Sequence, residues 1–513
     1  MSASATAAVE EHVNGGAGRV HDVAVIGTGF SGLGMSIKLK RSGVEDFVVL
    51  ERASSVGGTW RDNTYPGIQC DVPSHLYSLS FAPNPDWSRA FSPGPEIWEY
   101  LKRTADEQGI TPHIRFDSEV TEARWDAERR NWVLQTATGV VRARVLVAGL
   151  GGLVEPRLPD VPGIEDFPGE VMHSARWDHD YDFRGKRVAV IGTGASSIQI
   201  VPQLQPIVAE LDLFQRTPAW IAPRRDHAIS ARRRRLYKRF PVLQKLTRQW
   251  IFWTREVMVL GLVKRPQLLG IVERAARAHL NKQVSDPDLR RKLTPDYTIG
   301  CKRILISNDF YPALTQPNVD VVPEGMTEVR GNRVVGSDGT EREVDAIVLG
   351  TGFQVTDFPG AKVIYGRDGD RSLSEIWQGS PKANRCTTVA GFPNLFVLGG
   401  PNDGIGHTSA VEMIEHQFTY VLDALATMRR EGLAAVDVRP EVQERFVADL
   451  DRKMEDTVWL QGGCASWYLD SQGRNSTLWP DWTAAHARAT EHFDLTEYEV
   501  ERVGEPEREL TPA

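Results

Sequence analysis

The chain reads as an α/β protein made of two Rossmann-like units and a helical insertion. Three observations predict this fold class. The heptapeptide VAVIGTG occurs twice, at Val23–Gly29 and again at Val188–Gly194. Each copy has the apolar run of a buried parallel strand entering a glycine turn, and each leads into a helix-like stretch, Leu33–Arg41 and Ile198–Leu204. Between residues 226 and 297 the pattern becomes charged and helical.

The turns themselves carry chemistry. Gly27, Gly29, Phe30, Ser31 and Gly32 complete Gly-x-Gly-x-x-Gly, while Gly192, Thr193, Gly194, Ala195, Ser196 and Ser197 give Gly-x-Gly-x-x-Ser. Glycine permits the tight turn and lets backbone amides approach a pyrophosphate at the positive end of the helix, so two copies imply two dinucleotides. Counted equally from each first glycine, Glu51 ends the strand FVVLE and Arg216 ends LDLFQR. A carboxylate there accepts a ribose 2′-hydroxyl and repels a 2′-phosphate, whereas an arginine pairs with that phosphate. The first site is therefore expected to hold FAD or NAD and the second NADPH, and electron flow from NADPH to a flavin is the consequence if both are bound.

The rest of the chain agrees with this layout. A length of 513 residues suggests two or three domains. A net charge of −8 argues against nucleic acid as a partner. Cys70, Cys301, Cys386 and Cys464 lie far apart without Cys-x-x-Cys, which points to a reducing, cytoplasmic setting with no metal site and no redox-active disulfide. Residues 1–21 lack the basic start and apolar run of a signal peptide and read as a disordered tail. No apolar run reaches membrane-span length.

In order along the chain, residues 22–60 form the first βαβ unit, and NWVLQTA and ARVLVAG supply strands before residue 150. Pro156–Gly163 is a Pro/Gly-rich linker, and 186–217 is the second βαβ unit. The insertion carries a basic cluster, Arg232–Arg235, and the apolar WIFW at 250–253. It is expected to roof a substrate cavity. A membrane-surface role is the alternative, disfavoured because Arg255 and Glu256 interrupt the apolar stretch. The strands DAIVLGTGF and NLFVLGG return the chain to the two units. A turn ending at Asn402 then precedes the helix-like Ser409–Met428, where it faces the flavin ring or serves as an ordinary junction.

Between the two glycine motifs, residues 167–178 read FPGEVMHSARWD, with Phe167, Gly169, His173, Trp177 and Asp178 in fixed register. This resembles the fingerprint of type I Baeyer–Villiger monooxygenases; related N- and S-oxidising flavin enzymes usually place Tyr or Phe at the Trp177 position. The stretches GGTWRDNTYPGIQCD (57–71), GCKRILISNDFYPAL (300–314) and SWYLDSQGRNSTLWP (466–480) are similar to further patterns of that family. Together they span about residues 22–482.

The resemblance implies FAD and NADPH as cofactors, and a ketone and O2 as substrates. One oxygen atom is inserted next to the carbonyl through a flavin C4a-peroxide, giving an ester or lactone. By motif position Arg303 is the catalytic arginine and Asp71 the aspartate that orients it. Gly58, Thr59, Trp60, Asp71 and Tyr77 fall on the flavin side. Lys302 joins Arg216 and Thr217 at the 2′-phosphate, and Trp467 approaches the nicotinamide when a C-terminal loop closes. His173 takes a hinge role, with Phe167, Gly169 and Trp177 packing around it.

The implied domains are 22–150 with 385–513 for FAD, 151–225 with 298–384 for NADPH, and the insertion at 226–297. The chain departs from the family at Ser197, where Gly or Ala is usual, and at Ala148-Gly149-Leu150-Gly151, where Ala-Thr-Gly is commoner. Two other functions stand beside this one. An amine- or sulfide-oxidising flavin monooxygenase is opposed by Trp177, Asp178 and Arg303. A non-oxygenating NADPH oxidase or sensor would have been marked by loss of Asp71 or Arg303. Substrate identity and oligomeric state are not legible.

Overall fold

The computed structural model describes residues 19–504, and its two main sheets each contain one copy of the repeated heptapeptide. The strands and helices that position the site are, in chain order, β1 (Val20–Ile26), α1 (Phe30–Arg41), β2 (Phe47–Leu50), β3 (Gly139–Ala148), β4 (Glu170–His173), β5 (Arg187–Ile191), α2 (Ser197–Leu204) and β6 (Glu210–Phe214). After these come α3 (Ala231–Arg239), α4 (Pro241–Glu256), α5 (Gly270–Gln283), β7 (Val319–Val322), β8 (Ala346–Leu349), β9 (Leu395–Val397) and α6 (Ala410–Glu431).

In the first sheet β1 lies between β2 and β3, parallel to both, with Val23 opposite Phe47 and Ala24 opposite Leu146. The late strand β9 returns to pair in parallel with β3. The second sheet runs β7-β6-β5-β8-β4, every pair parallel. Helices cover both faces of such sheets, so the central strands are apolar throughout rather than alternating. Val23, Ala24 and Val25 in β1, and Val188, Ala189 and Val190 in β5, are accordingly buried.

Close helix packing depends on single glycines. A Cβ on Gly34 of α1 would come 2.6 Å from the Phe418 ring of α6, so only glycine lets these helices cross there. Helix α6 starts at Ser409, whose hydroxyl accepts the Val411 amide, and stops at Gly432 in the left-handed region at φ +66°.

Three details differ from expectation. The tail expected over 1–21 ends earlier: residues 1–18 lie outside the described residues, and Val20 and His21 already pair with Arg142 and Ala143 in the sheet. The cysteines are not all unpaired. Cys301 and Cys464 form a disulfide across 163 residues of chain, with Cα atoms 6.2 Å apart, while Cys70 and Cys386 are free and buried. The spacing that suggested unpaired thiols was no guide, because the loop bearing Cys464 folds back on the segment bearing Cys301. Lastly, Arg255 and Glu256 do not interrupt an apolar face, since both turn away from the exposed face that bears Trp250 and Trp253.

Candidate active site

Both glycine turns have the geometry of dinucleotide cradles. Gly27 and Gly192 adopt φ +90° and +102°. A Cβ would lie 2.7 Å from the Gly149 carbonyl at Gly27, 1.9 Å from the Gly27 carbonyl at Gly32 and 2.8 Å from the Gly350 carbonyl at Gly192. Helices α1 and α2 both start without a side-chain cap and without an acidic residue in the first turn. Their first amides and positive dipole ends therefore suit a pyrophosphate.

The unusual Ser197 is accommodated by a glycine opposite. It is fully buried, and a Cβ on Gly350 would come within 2.0 Å of its hydroxyl oxygen. At the other departure, Gly149 donates to the Ile26 carbonyl at 3.0 Å and closes against the first turn.

The two strand-end candidates, Glu51 and Arg216, differ sharply in their surroundings. Glu51 is 3% exposed and accepts from the Thr28 amide at 3.0 Å, the Thr28 hydroxyl, the Ala53 amide at 3.0 Å and Arg61 Nη1 at 2.9 Å. Arg216, past the end of β6, is exposed, and Thr193 Oγ1 donates to the Thr217 carbonyl beside it at 2.9 Å. Burial and the Arg216 charge together push the Lys302 ammonium below its ordinary value, so the two cations share one neighbourhood. A 2′-phosphate would relieve that repulsion.

Next in sequence, Arg303 turns to the flavin-side segment. Its Nε and Nη2 donate to the two oxygens of Asp71, each at 2.7 Å, in a bidentate pair. Burial pushes the Asp71 carboxyl upward, yet the Arg303 charge and hydrogen bonds outweigh it and hold the group below the carboxylate range. Asp71 in turn raises Arg303 further above the usual arginine value. Gly58 at φ +52° brings its backbone against Gly29 and starts the helical turn Thr59–Asp62. Trp60 Nε1 donates to the Tyr77 hydroxyl at 3.2 Å, and the Phe30 and Tyr77 rings meet edge-on with centroids 5.1 Å apart. The expected flavin-side residues thus form one cluster.

Two further candidates lie on or against the C-terminal loop. Asn402 is 2% exposed, and its amide is engaged by protein: Nδ2 donates to the carbonyls of Asn475 and Leu478, and Oδ1 accepts from Arg474. It clamps the C-terminal loop rather than presenting a free group. Trp467 is 42% exposed with its ring against Tyr468, and it is Tyr468 that sits by the ion pair. Burial pushes the Tyr468 phenol up to about 12 while Arg303 pulls it down.

The fingerprint segment is structural. Burial drives His173 down to about 4, its Nδ1 accepts the Ala175 amide at 3.0 Å, and its ring meets Phe353. Phe353 bridges to Pro156 of the linker, which fits the hinge role. Trp177 stacks on Phe183, and a Cβ on Gly169 would strike the Asp345 carbonyl.

One residue was missed. Arg255, near the end of α4, is acted on by the charges of both Asp71 and Arg303, and burial holds it below the ordinary arginine value. It lies in the insertion, outside every motif, and no spacing signals it. Tyr468 was reachable, being the next residue in the same SWYLD motif.

Comparison with known proteins agrees with this geometry. Residues 20–362 match the flavin-binding monooxygenase-like family. A Baeyer–Villiger monooxygenase of Streptomyces coelicolor is 53% identical over 96% of this chain and 94% of its own length. One of Pseudomonas aeruginosa is 51% identical over 93% and 91%. Among solved structures, a cyclohexanone monooxygenase from Rhodococcus bound to NADP+ superposes with a TM-score of 0.80 at 27% identity, covering 94% of this chain and 99% of that one. The chain belongs to the flavin-binding monooxygenase-like family, in its Baeyer–Villiger branch. The fold class, the enzyme class and the FAD and NADPH pair expected from sequence agree with that membership.

Proposed function

We propose that Arg303 and Asp71 form the catalytic pair of an NADPH- and O2-dependent Baeyer–Villiger oxidation that converts a ketone to an ester or lactone. The observation that carries this assignment is the bidentate pair itself, next in sequence to Lys302, whose ammonium is acted on by the Arg216 charge. One short segment is thereby assigned to both nucleotide sites. FAD, reduced by NADPH, supplies the oxygen-activating chemistry when bound.

The chain's own residues do the rest. Asp71 fixes the plane of the Arg303 guanidinium and keeps it protonated, so a cation stands ready where negative charge develops. Arg255 adds a second cation to the same region. Tyr468 stays protonated at neutral pH and keeps a donor beside Arg303. The loop bearing it is tied down by the Cys301–Cys464 bond and by Asn402. Glu51 takes the FAD ribose; Arg216, Thr217 and Lys302 take the NADPH phosphate.

The domain division stated from the sequence suits the two sheets, with 22–150 and 385–513 holding FAD, 151–225 and 298–384 holding NADPH, and 226–297 inserted. The Cys301–Cys464 bond runs against the reducing, cytoplasmic setting read from the cysteine spacing, and among the described residues no helix is long and apolar enough to cross a membrane. The test is to supply purified holoenzyme with NADPH, O2 and a panel of ketones and thioethers. Ester or lactone formed in proportion to NADPH consumed is expected. Sulfoxide as the sole product, or hydrogen peroxide alone, would overturn the proposal.

A further inference from the structure

Helix α4 is unusual in what it buries and what it exposes. The three side chains it buries most fully, Gln244, Arg248 and Glu256, are polar and bonded to protein, with Ile251 and Phe252 packed half-buried against the core. Gln244 donates to the Asn84 carbonyl at 2.7 Å; Arg248 donates to the carbonyls of His75 and Ser78 and pairs with Glu412. Glu256 accepts from the Thr483 amide and hydroxyl and from His407. Its outward residues are apolar: Val242, Leu246, Trp250, Trp253 and Val257, spaced by three or four positions, are 62%, 60%, 68%, 55% and 56% exposed. An amphipathic helix on a water-soluble surface presents the opposite arrangement.

The hairpin's own charge is equally one-sided, and Asp86 from the neighbouring segment pairs, among the described residues, only with Lys238 of α3. From residue 227 to 255 there is no Asp or Glu, in a chain of net charge −8. Arg232, Arg233, Arg235, Arg239 and Lys245 are exposed, and none forms an ion pair among the described residues. Helices α3 and α4 pack together, with Tyr237 and Thr247 hydroxyls 3.0 Å apart, so the basic cluster and the apolar stripe belong to one hairpin.

We propose that the α3–α4 hairpin is a docking surface for an anionic lipid bilayer, with Trp250 and Trp253 entering the interface and the arginines on headgroups. Tryptophan favours the bilayer interface, and basic residues beside an apolar helix face are attracted to anionic headgroups. A second copy of this chain fits less well, because a two-fold contact presents the same segment from both sides, and from residue 227 to 255 that segment holds no carboxylate to pair with the arginines. The last turn of the same helix sends Arg255 toward Asp71 and Arg303, so docking would hold the site near the membrane, within reach of lipophilic ketones.

The test uses FAD-loaded enzyme and large unilamellar vesicles, either pure phosphatidylcholine or an equal mixture with phosphatidylglycerol, separated by flotation. Binding to the anionic vesicles at 50 mM salt is expected. It should fall at least ~10-fold at 0.5 M salt or in L246E/W250E, and also fall in a variant with Arg232–Arg235 changed to Gln. Both variants should keep activity on a small water-soluble ketone, which shows that they fold. No binding, or binding that the substitutions leave unchanged, overturns the proposal. A dimer in sedimentation velocity that L246E/W250E dissolves, without vesicle binding, also overturns it and gives the face to a second copy.

Discussion

The two copies of VAVIGTG make the same strand, the same turn and the same uncapped helix start, yet their surroundings differ in kind. At the first turn Glu51, the proposed ribose reader, is buried and locked by Thr28, Ala53 and Arg61. At the second, Arg216 is exposed, with another cation beside it. A site whose reader is held rigid by protein suits a resident cofactor, while an open site with unsatisfied positive charge suits a ligand that enters and leaves each turnover. The shared heptapeptide sets the pyrophosphate cradle; the residues beyond it in each unit set affinity and exchange.

On the proposed assignment Arg303 lies between the two sites, and its replacement has the largest expected effect. R303A should lower kcat/KM for ketone at least ~1,000-fold, about 4 kcal/mol of transition-state stabilisation. NADPH should still reduce the flavin, with hydrogen peroxide as the product. Coupled ester formation surviving in R303A would remove the bridge between the sites.

The sealed first site is tested by E51Q. Arg61 and Glu51 side chains are only 11% and 4% exposed, so neutralising one leaves the other's charge poorly compensated. Because Arg61 keeps Asp62 as a second partner, we expect about 3 kcal/mol of lost stability, toward the low end for a broken buried pair. Denaturant unfolding of apoprotein reads that loss, and FAD retained after gel filtration reads the site. Unchanged values for both would mean the first reader is no more built-in than the second.

Acid asks whether the two units stand or fall together. Burial drives His75, among the first unit's residues, and His173, at the edge of the second sheet, each from 6.5 to about 4. The unfolded chain binds these protons at higher pH than the folded one. Their contribution is therefore complete above pH 6.5 and is lost as pH falls toward 4, by about 1.4 kcal/mol per pH unit for each histidine. One cooperative transition near pH 5 would show coupled units. Two transitions, with H173Q stabilising only one of them, would show that the units unfold separately.

Much of the site was legible in the sequence, for a physical reason. Glycine turns, strand ends and the Gly-Cys-Lys-Arg segment are local features whose geometry is set by adjacent residues, so Glu51, Arg216, Lys302, Asp71 and Arg303 stood out there as candidates. Contacts made by chain return did not. The Cys301–Cys464 bond, the clamp by Asn402 and the place of Tyr468 beside the ion pair all depend on how the C-terminal loop folds back. The α4 helix misled for a related reason. Its sequence shows that apolar and charged residues alternate around the axis, but only the packed structure says which side faces the protein.

The smallest expected effect belongs to the open second site. R216A removes one of two cations facing the 2′-phosphate, and Lys302 remains to hold part of the charge. KM for NADPH should rise ~10- to 100-fold, about 1.4–2.7 kcal/mol, with kcat at saturating NADPH little changed. KM for NADH, which lacks the phosphate, should stay the same or improve, because a repulsive neighbour of Lys302 is gone. Steady-state kinetics with both nucleotides decides this. A rise in KM shared equally by NADH would mean that Arg216 supports the fold of the site rather than reading the phosphate, and the contrast between the two turns would then lie in burial alone.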